Sequence, residues 1–150
     1  RMEYPWADAI CYAVSGTPNR LDYDQGFFVK GGDGLADIKP IAKLYKTQVY
    51  ALARHMGLPA AIAERDPTTE TFSLPQTQEE FYFGLSLEQT DLCVYARDHG
   101  MSAEAATDAV GLTPEQMVRA YQVIDSKREA AKYLHEPAIV IDPTGDAECP

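Results

Sequence analysis

Apolar and polar positions alternate along this chain in two different rhythms. Near the start, Ala9–Val14 (AICYAV) is a short apolar run that stops at Ser15-Gly16-Thr17-Pro18-Asn19. A run of that length bounded by turn residues predicts a buried parallel strand ending in a loop. From Lys46 the rhythm becomes helical. Val49, Leu52, Ala53 and Met56 recur at i, i+3, i+4 and i+7, Gly57 stands where a helix ends, and Pro59 blocks continuation. Thr47 is the expected N-cap. Ser86-Leu87-Glu88-Gln89 predicts a capped helix through Leu92, Tyr95 and Ala96. A short helix is expected over 102–110, stopped by Gly111. Thr113-Pro114-Glu115-Gln116 is the strongest local signal: a capping threonine, proline in the first turn, and glutamine to close the box. Leu112 is placed to staple onto Met117. That helix should run to about Leu134, with Met117, Tyr121, Ile124, Arg128 and Ala131 on one face. Ala138–Ile141 predicts a last short strand or a docked tail, and the final Asp-Ala-Glu-Cys-Pro a frayed end.

Composition narrows the function. A chain of 150 residues that is 45% hydrophobic suggests one domain with a real core. The net charge of -10 and pI near 4.6 argue against a nucleic-acid partner, which wants a basic surface. No apolar run is long enough to span a bilayer, and no leader pattern is visible, although the first residue is Arg1. Cys11, Cys93 and Cys149 are odd in number and widely spaced, which reads as reduced thiols in a cytoplasmic protein. His55, His99 and His135 lie on or beside helices and read as structural or surface residues.

Candidate chemistry gathers between Lys30 and Lys46. Lys30, Lys39, Lys43 and Lys46 face only Asp33 and Asp37 there, a local reversal of sign that suits a polyanionic small molecule. The plainer alternative is a solvated lysine face. Lys46 adjoins a helix N-terminus, where backbone N–H groups favour anions. The Ser15–Asn19 loop, beyond a strand end, is either an ordinary turn or a site wall. Asp22 and Asp24 are surface acids or, one of them, a magnesium ligand beside substrate phosphates. The glycines of Lys-Gly-Gly-Asp-Gly form neither GxxxxGK[ST] nor GxGxxG.

The string GTPNRLDYDQGFFVKGGDGLADIKPIAKLYKTQVYALARHMGLP, residues 16–59, resembles the second half of the NAD synthetases, members of the N-type ATP pyrophosphatases. GTxN, then GxFxKxGDG, then a lysine-led KTQV helix, in that order, is a specific combination. The likeness is densest over 16–59 and continues more loosely to about Ile141. It implies an α/β fold, part of a parallel-sheet adenine-nucleotide hydrolase-like architecture with a helical C-terminal portion. It implies a ligase that adenylates deamido-NAD with ATP and magnesium, releases pyrophosphate, and amidates the adenylate with ammonia. It also implies a homodimer sharing the deamido-NAD site.

Carried over by position, Thr17, Lys46 and Thr68 correspond to ATP contacts, with Lys46 on the phosphates and catalytic. Lys30, Asp37 and Lys127 correspond to deamido-NAD contacts, and Asp33 belongs to the same loop. Asp22 stands where the family has a magnesium-binding glutamate, one methylene longer, and Ser126 stands where it has a histidine. The family's SGGxDS pyrophosphate loop occurs nowhere in these residues, so the chain is expected to be the C-terminal part of a single synthetase domain, inactive alone. Two alternatives are a non-catalytic helical interaction module on the same scaffold and another adenylating amidotransferase.

Overall fold

The computed structural model describes residues 3–68, 84–139 and 141 of the chain. Among them the architecture is helical: α1 (Glu3–Ala9), α2 (Arg20–Asp24), α3 (Lys46–His55), α4 (Ala60–Ala63), α5 (Leu87–Asp98), α6 (Ala103–Val110) and α7 (Pro114–His135). None of the helices is long and apolar enough to cross a membrane.

The three C-terminal helices pack on one another, and α3 packs on α5. Their ends are written locally. Ser86, Ser102 and Thr113 each accept a hydrogen bond from the backbone N–H three residues on, and Gln89 and Gln116 reach back to close capping boxes. Gly111 ends α6 in the left-handed conformation at φ 73°, which costs glycine nothing. Met117, Tyr121, Ile124 and Ala131 of α7 are buried as the spacing predicts. Leu112 packs partly buried against the cluster that holds Met117. Cys93, Val94 and Ala106 complete that cluster, and Leu21 of α2 joins it at 1% exposure. On the same face of α7, Arg128 reaches Asp24 of α2 at 2.9 Å and Asp98 of α5 at 2.8 Å. Asp98 also pairs with Arg20, so one chain of ion pairs ties the short α2 to both long helices.

The N-terminal third departs from the expected pattern. Residues 3–9 are helical, with Pro5 in the first turn, where its missing N–H leaves no helix bond unmade. Ala9 therefore ends α1 and does not begin a strand. Among the described residues, the backbone beyond Tyr12 pairs through a parallel bridge, Ser15 with Ile38. Asp37 and Ile38 donate to the Val14 carbonyl at 3.0 and 3.2 Å, and Gly16 donates to Ile38 at 2.8 Å. No strand is formed among the described residues. Parallel pairing is weak per residue and needs neighbours on both sides, and none is present among these residues. Ile139 and Ile141 are 90% and 86% exposed, so this part of the expected tail neither pairs nor docks. Arg1, Met2, Val140 and the terminal residues with Cys149 lie outside the described residues. Of the other cysteines, Cys11 is exposed and Cys93 buried, both as free thiols.

Candidate functional site

The site is built around the start of α3. Tyr45, not Thr47, is the N-cap residue, with Lys46 the first helical residue and Thr47 the second. Tyrosine is a poor capping side chain, and Tyr45 makes no side-chain cap bond. The free amides are taken instead by a carboxylate from α5. Asp91 accepts from the Lys46 N–H at 3.3 Å, the Thr47 N–H at 2.8 Å and the Thr47 hydroxyl at 2.7 Å. The anion at this helix N-terminus is thus the protein's own. Lys46 keeps its side chain for other work, with its ammonium 5.8 Å from the Tyr50 ring. Tyr50 in turn donates to the Arg65 carbonyl at 2.9 Å, tethering to α3 the segment that leads to half-buried Thr68.

Two of the expected acids share the electrostatics of Lys46. Asp22 sits on α2, which Asn19 caps: the Asn19 side chain accepts from the Leu21 N–H at 2.8 Å, and Asp22 accepts from the Asn19 backbone N–H at 3.1 Å. Burial pushes the Asp22 carboxyl above its usual range, opposed by the bond from Asn19 and by the charge of Lys46, with Asp33 pushing the same way as burial. Asp91 is raised for the same first reason, opposed by its bonds from Thr47 and by Lys46. The Lys46 charge therefore acts on both Asp22 and Asp91, and Asp33 acts on Asp22. Asp33 also holds its own loop, accepting from the Val29 N–H at 2.8 Å. In that loop Gly34 is buried against Phe28, and a Cβ there would lie 2.4 Å from the ring. The Lys-Gly-Gly-Asp-Gly glycines thus serve close packing of a compact turn.

The remaining expected residues are held elsewhere. Lys30 donates to the Tyr133 carbonyl at 2.7 Å, so its ammonium caps the C-terminal turn of α7. Asp37 accepts from the Val14 N–H at 2.7 Å, beside the Ser15–Ile38 bridge. Thr17 is exposed on the loop before α2. Lys127, half-buried on α7, borders a cavity of about 420 Å³ lined also by Gln25, Thr90, Cys93 and Ile124. Burial lowers the Lys127 ammonium to about 8 and pushes the Cys93 thiol up to about 11. Cys93 is therefore an inert core thiol.

Local sequence patterns do not reveal Asp91 or the Arg20–Asp98–Arg128–Asp24 chain. Asp91 is 44 residues from Thr47, and no nearby signal marks it. The α2 cap is visible in principle as Asn19-x-x-Asp22, a variant of the capping box.

The profile of the NAD synthase family matches residues 1–132. The chain is 52% identical over 148 residues to the NH(3)-dependent NAD(+) synthetase of Rhizobium meliloti (strain 1021), covering 99% of this chain and 44% of that protein. It is 56% identical over 133 residues to the protein of the same name from Mesorhizobium japonicum, covering 89% and 42%. The chain thus spans less than half the length of these curated relatives. Among solved structures it is similar to an NMN synthetase from Francisella tularensis, with TM-score 0.69 and 24% identity over 93% of this chain and 50% of that one. It is also similar to an NH3-dependent NAD synthetase from Campylobacter jejuni in complex with the nitrate ion, with TM-score 0.64, 18% identity, and coverage of 93% and 49%. At these identities the two structures establish a shared fold.

Proposed function

This chain belongs to the NAD synthase family, and from that premise we propose that it forms the substrate-holding part of an ammonia-dependent NAD synthetase. The whole protein would be a ligase. The nicotinate carboxylate of deamido-NAD attacks the α-phosphorus of ATP, pyrophosphate leaves, and ammonia then displaces AMP from the acyl carbon. The observation that carries this reading is the family match over residues 1–132, with Lys46 and Asp33 both close enough to act electrostatically on Asp22.

The roles proposed for single residues follow from the resemblance. The Lys46 ammonium, on a helix start fixed by Asp91, is suited to the charge that grows on the departing pyrophosphate. Thr17 and Thr68 offer hydroxyls to ATP. Lys30, Asp33, Asp37 and Lys127 would face deamido-NAD, with Lys30 exchanging or sharing its Tyr133 carbonyl and Asp37 its Val14 amide. The compact turn at 29–34 would help keep water from the reactive adenylate.

Magnesium fits this donor set in one respect. Asn19 engages one Asp22 oxygen, while the other accepts no hydrogen bond among the described residues. A buried carboxylate with a raised pKa gains from a cation, and magnesium sites need only one or two carboxylates beside substrate phosphates. When bound, the ion would neutralise charge on the triphosphate.

We read the Ser15–Ile38 bridge as the edge of a parallel sheet completed by the rest of a longer protein, whose SGGxDS loop would hold the pyrophosphate. The same reading makes the protein cytoplasmic and a homodimer. The test is exchange of labelled pyrophosphate into ATP by the native protein without ammonia. Exchange should require both deamido-NAD and magnesium. Exchange driven equally well by another carboxylic acid would point to a different adenylating amidotransferase, and none at all to a binding module.

A further inference from the structure

A helix start that carries a phosphate-binding lysine must be held still, and within α3 only Gln48 helps, accepting from the Tyr45 backbone N–H at 3.0 Å. Its N-cap residue is Tyr45, whose phenol makes no cap bond. The carboxylate that completes the turn comes from α5. Asp91 is 4% exposed, beside the fully buried Cys93 and Val94. It accepts two backbone N–H bonds, from Lys46 at 3.3 Å and Thr47 at 2.8 Å, and the Thr47 hydroxyl at 2.7 Å. Three donors on one buried carboxylate lock the first turn of α3 to the α5–α7 core, because each bond is charge-assisted and sheltered from water. The same bonds occupy amides that would otherwise attract a phosphate, leaving the Lys46 side chain as the contact this helix end can offer.

We propose that Asp91 is a positioning residue for the adenylation step, acting on ATP only through Lys46 by fixing where α3 begins. The inference rests on the reading of Lys46 as the phosphate lysine, and its consequences separate from that reading.

The test is a double-mutant cycle in the native protein, using deamido-NAD-dependent pyrophosphate exchange with kcat and KM for ATP resolved. Asp91→Asn keeps the size of the side chain but puts an amide that donates where a carboxylate accepted. It should lower kcat/KM for ATP by about tenfold to a hundredfold, the scale of a displacement of about 1 Å in a catalytic group. In a Lys46→Ala background the same change should cost no more than about twofold, because the group it positions is gone. Equal losses in both backgrounds, or full activity of Asp91→Asn, would overturn the proposal. Thr47→Val, which removes only the hydroxyl donor, serves if Asp91→Asn does not fold, and its smaller loss should likewise vanish beside Lys46→Ala. Amide hydrogen exchange gives a readout free of turnover. Asp91→Asn should speed exchange at Lys46 and Thr47 by at least about tenfold while α5 and α7 stay protected. Unchanged exchange at those two amides sinks the positioning role even if the wild-type protein shows no adenylation, an outcome that by itself would sink only the functional reading.

Discussion

Lys127 carries a charge that the fold resists. Burial beside the α5–α7 cavity holds its pKa at about 8, against 10.5 in an unfolded chain. Between those values the unfolded chain keeps a proton that the folded protein has shed, so this group's contribution to stability rises with pH across that window. Below it both states are protonated, and the folded state bears the full cost of a buried ammonium. Lys127→Met should therefore gain most relative to wild type at pH 7, and the gap should move against the variant as pH rises to about 10. Urea unfolding at both pH values is the check; a gap independent of pH would show that the amine is not desolvated. At this scale the sequence displays its chemistry but not its partners. Lysines and aspartates over 30–46 are legible as groups fit for a polyanion. That Lys30 lies on the Tyr133 carbonyl, 103 residues away, and Asp37 on the Val14 amide, 23 away, is not legible, because such bonds exist only once the chain is folded.

Elements whose signals lie within four residues are readable from sequence. The caps at Ser86, Ser102 and Thr113 and the stop at Gly111 are local in that sense, and α5, α6 and α7 begin and end where they indicate. The N-terminus of α3 defies local reading because the carboxylate on its first amides belongs to another helix. The short α2 depends in the same way on non-local support. Its link to the core runs through Arg128, whose side chain is 27% exposed and serves both Asp24 and Asp98. The Arg97–Asp125 pair has the same chemistry but is 42% and 46% exposed. Arg97→Met should cost little, as the loss of an exposed pair does. Arg128→Met strands the half-buried Asp24 carboxylate and leaves Asp98 to Arg20 alone, and should cost about 1–3 kcal/mol, measured by urea denaturation. Equal costs would mean that the network does not anchor α2. The turn at 29–34 makes a sharper demand. In Gly34→Ala the new methyl would meet Phe28 at 2.4 Å and the Val29 carbonyl at 2.8 Å. Overpacking of that kind costs about 1–3 kcal/mol, and amide exchange at Gly32 and Leu35 should speed with it. Wild-type protection there would show that the turn has room to spare.

The molecule as a whole has helices that are closed and an edge that is open. The core of α5–α7 buries its side chains, with Leu21 of α2 among them, whereas Trp6 and Tyr12 are each 71% exposed and Ile38 56%, near the Ser15–Ile38 bridge. Apolar exposure beside unpaired strand backbone is a surface that calls for more protein. The run Ala9–Val14 predicts a sheet, and only its first pairing is found, because sheet formation depends on segments that these residues do not supply. The curated relatives are more than twice as long, so the activity proposed here is that of a longer protein. The central proposal is that the longer protein makes NAD from deamido-NAD and ammonia. It is tested most directly by following NAD, AMP and pyrophosphate in one reaction containing deamido-NAD, ATP, magnesium and ammonium. The 150-residue chain alone should be compared with the chain joined to the rest of a full-length synthetase. The account predicts the three products in equal amounts from the longer protein and none from the 150 residues alone. Adenylation without NAD from the longer protein, or full turnover by the short chain, would contradict it.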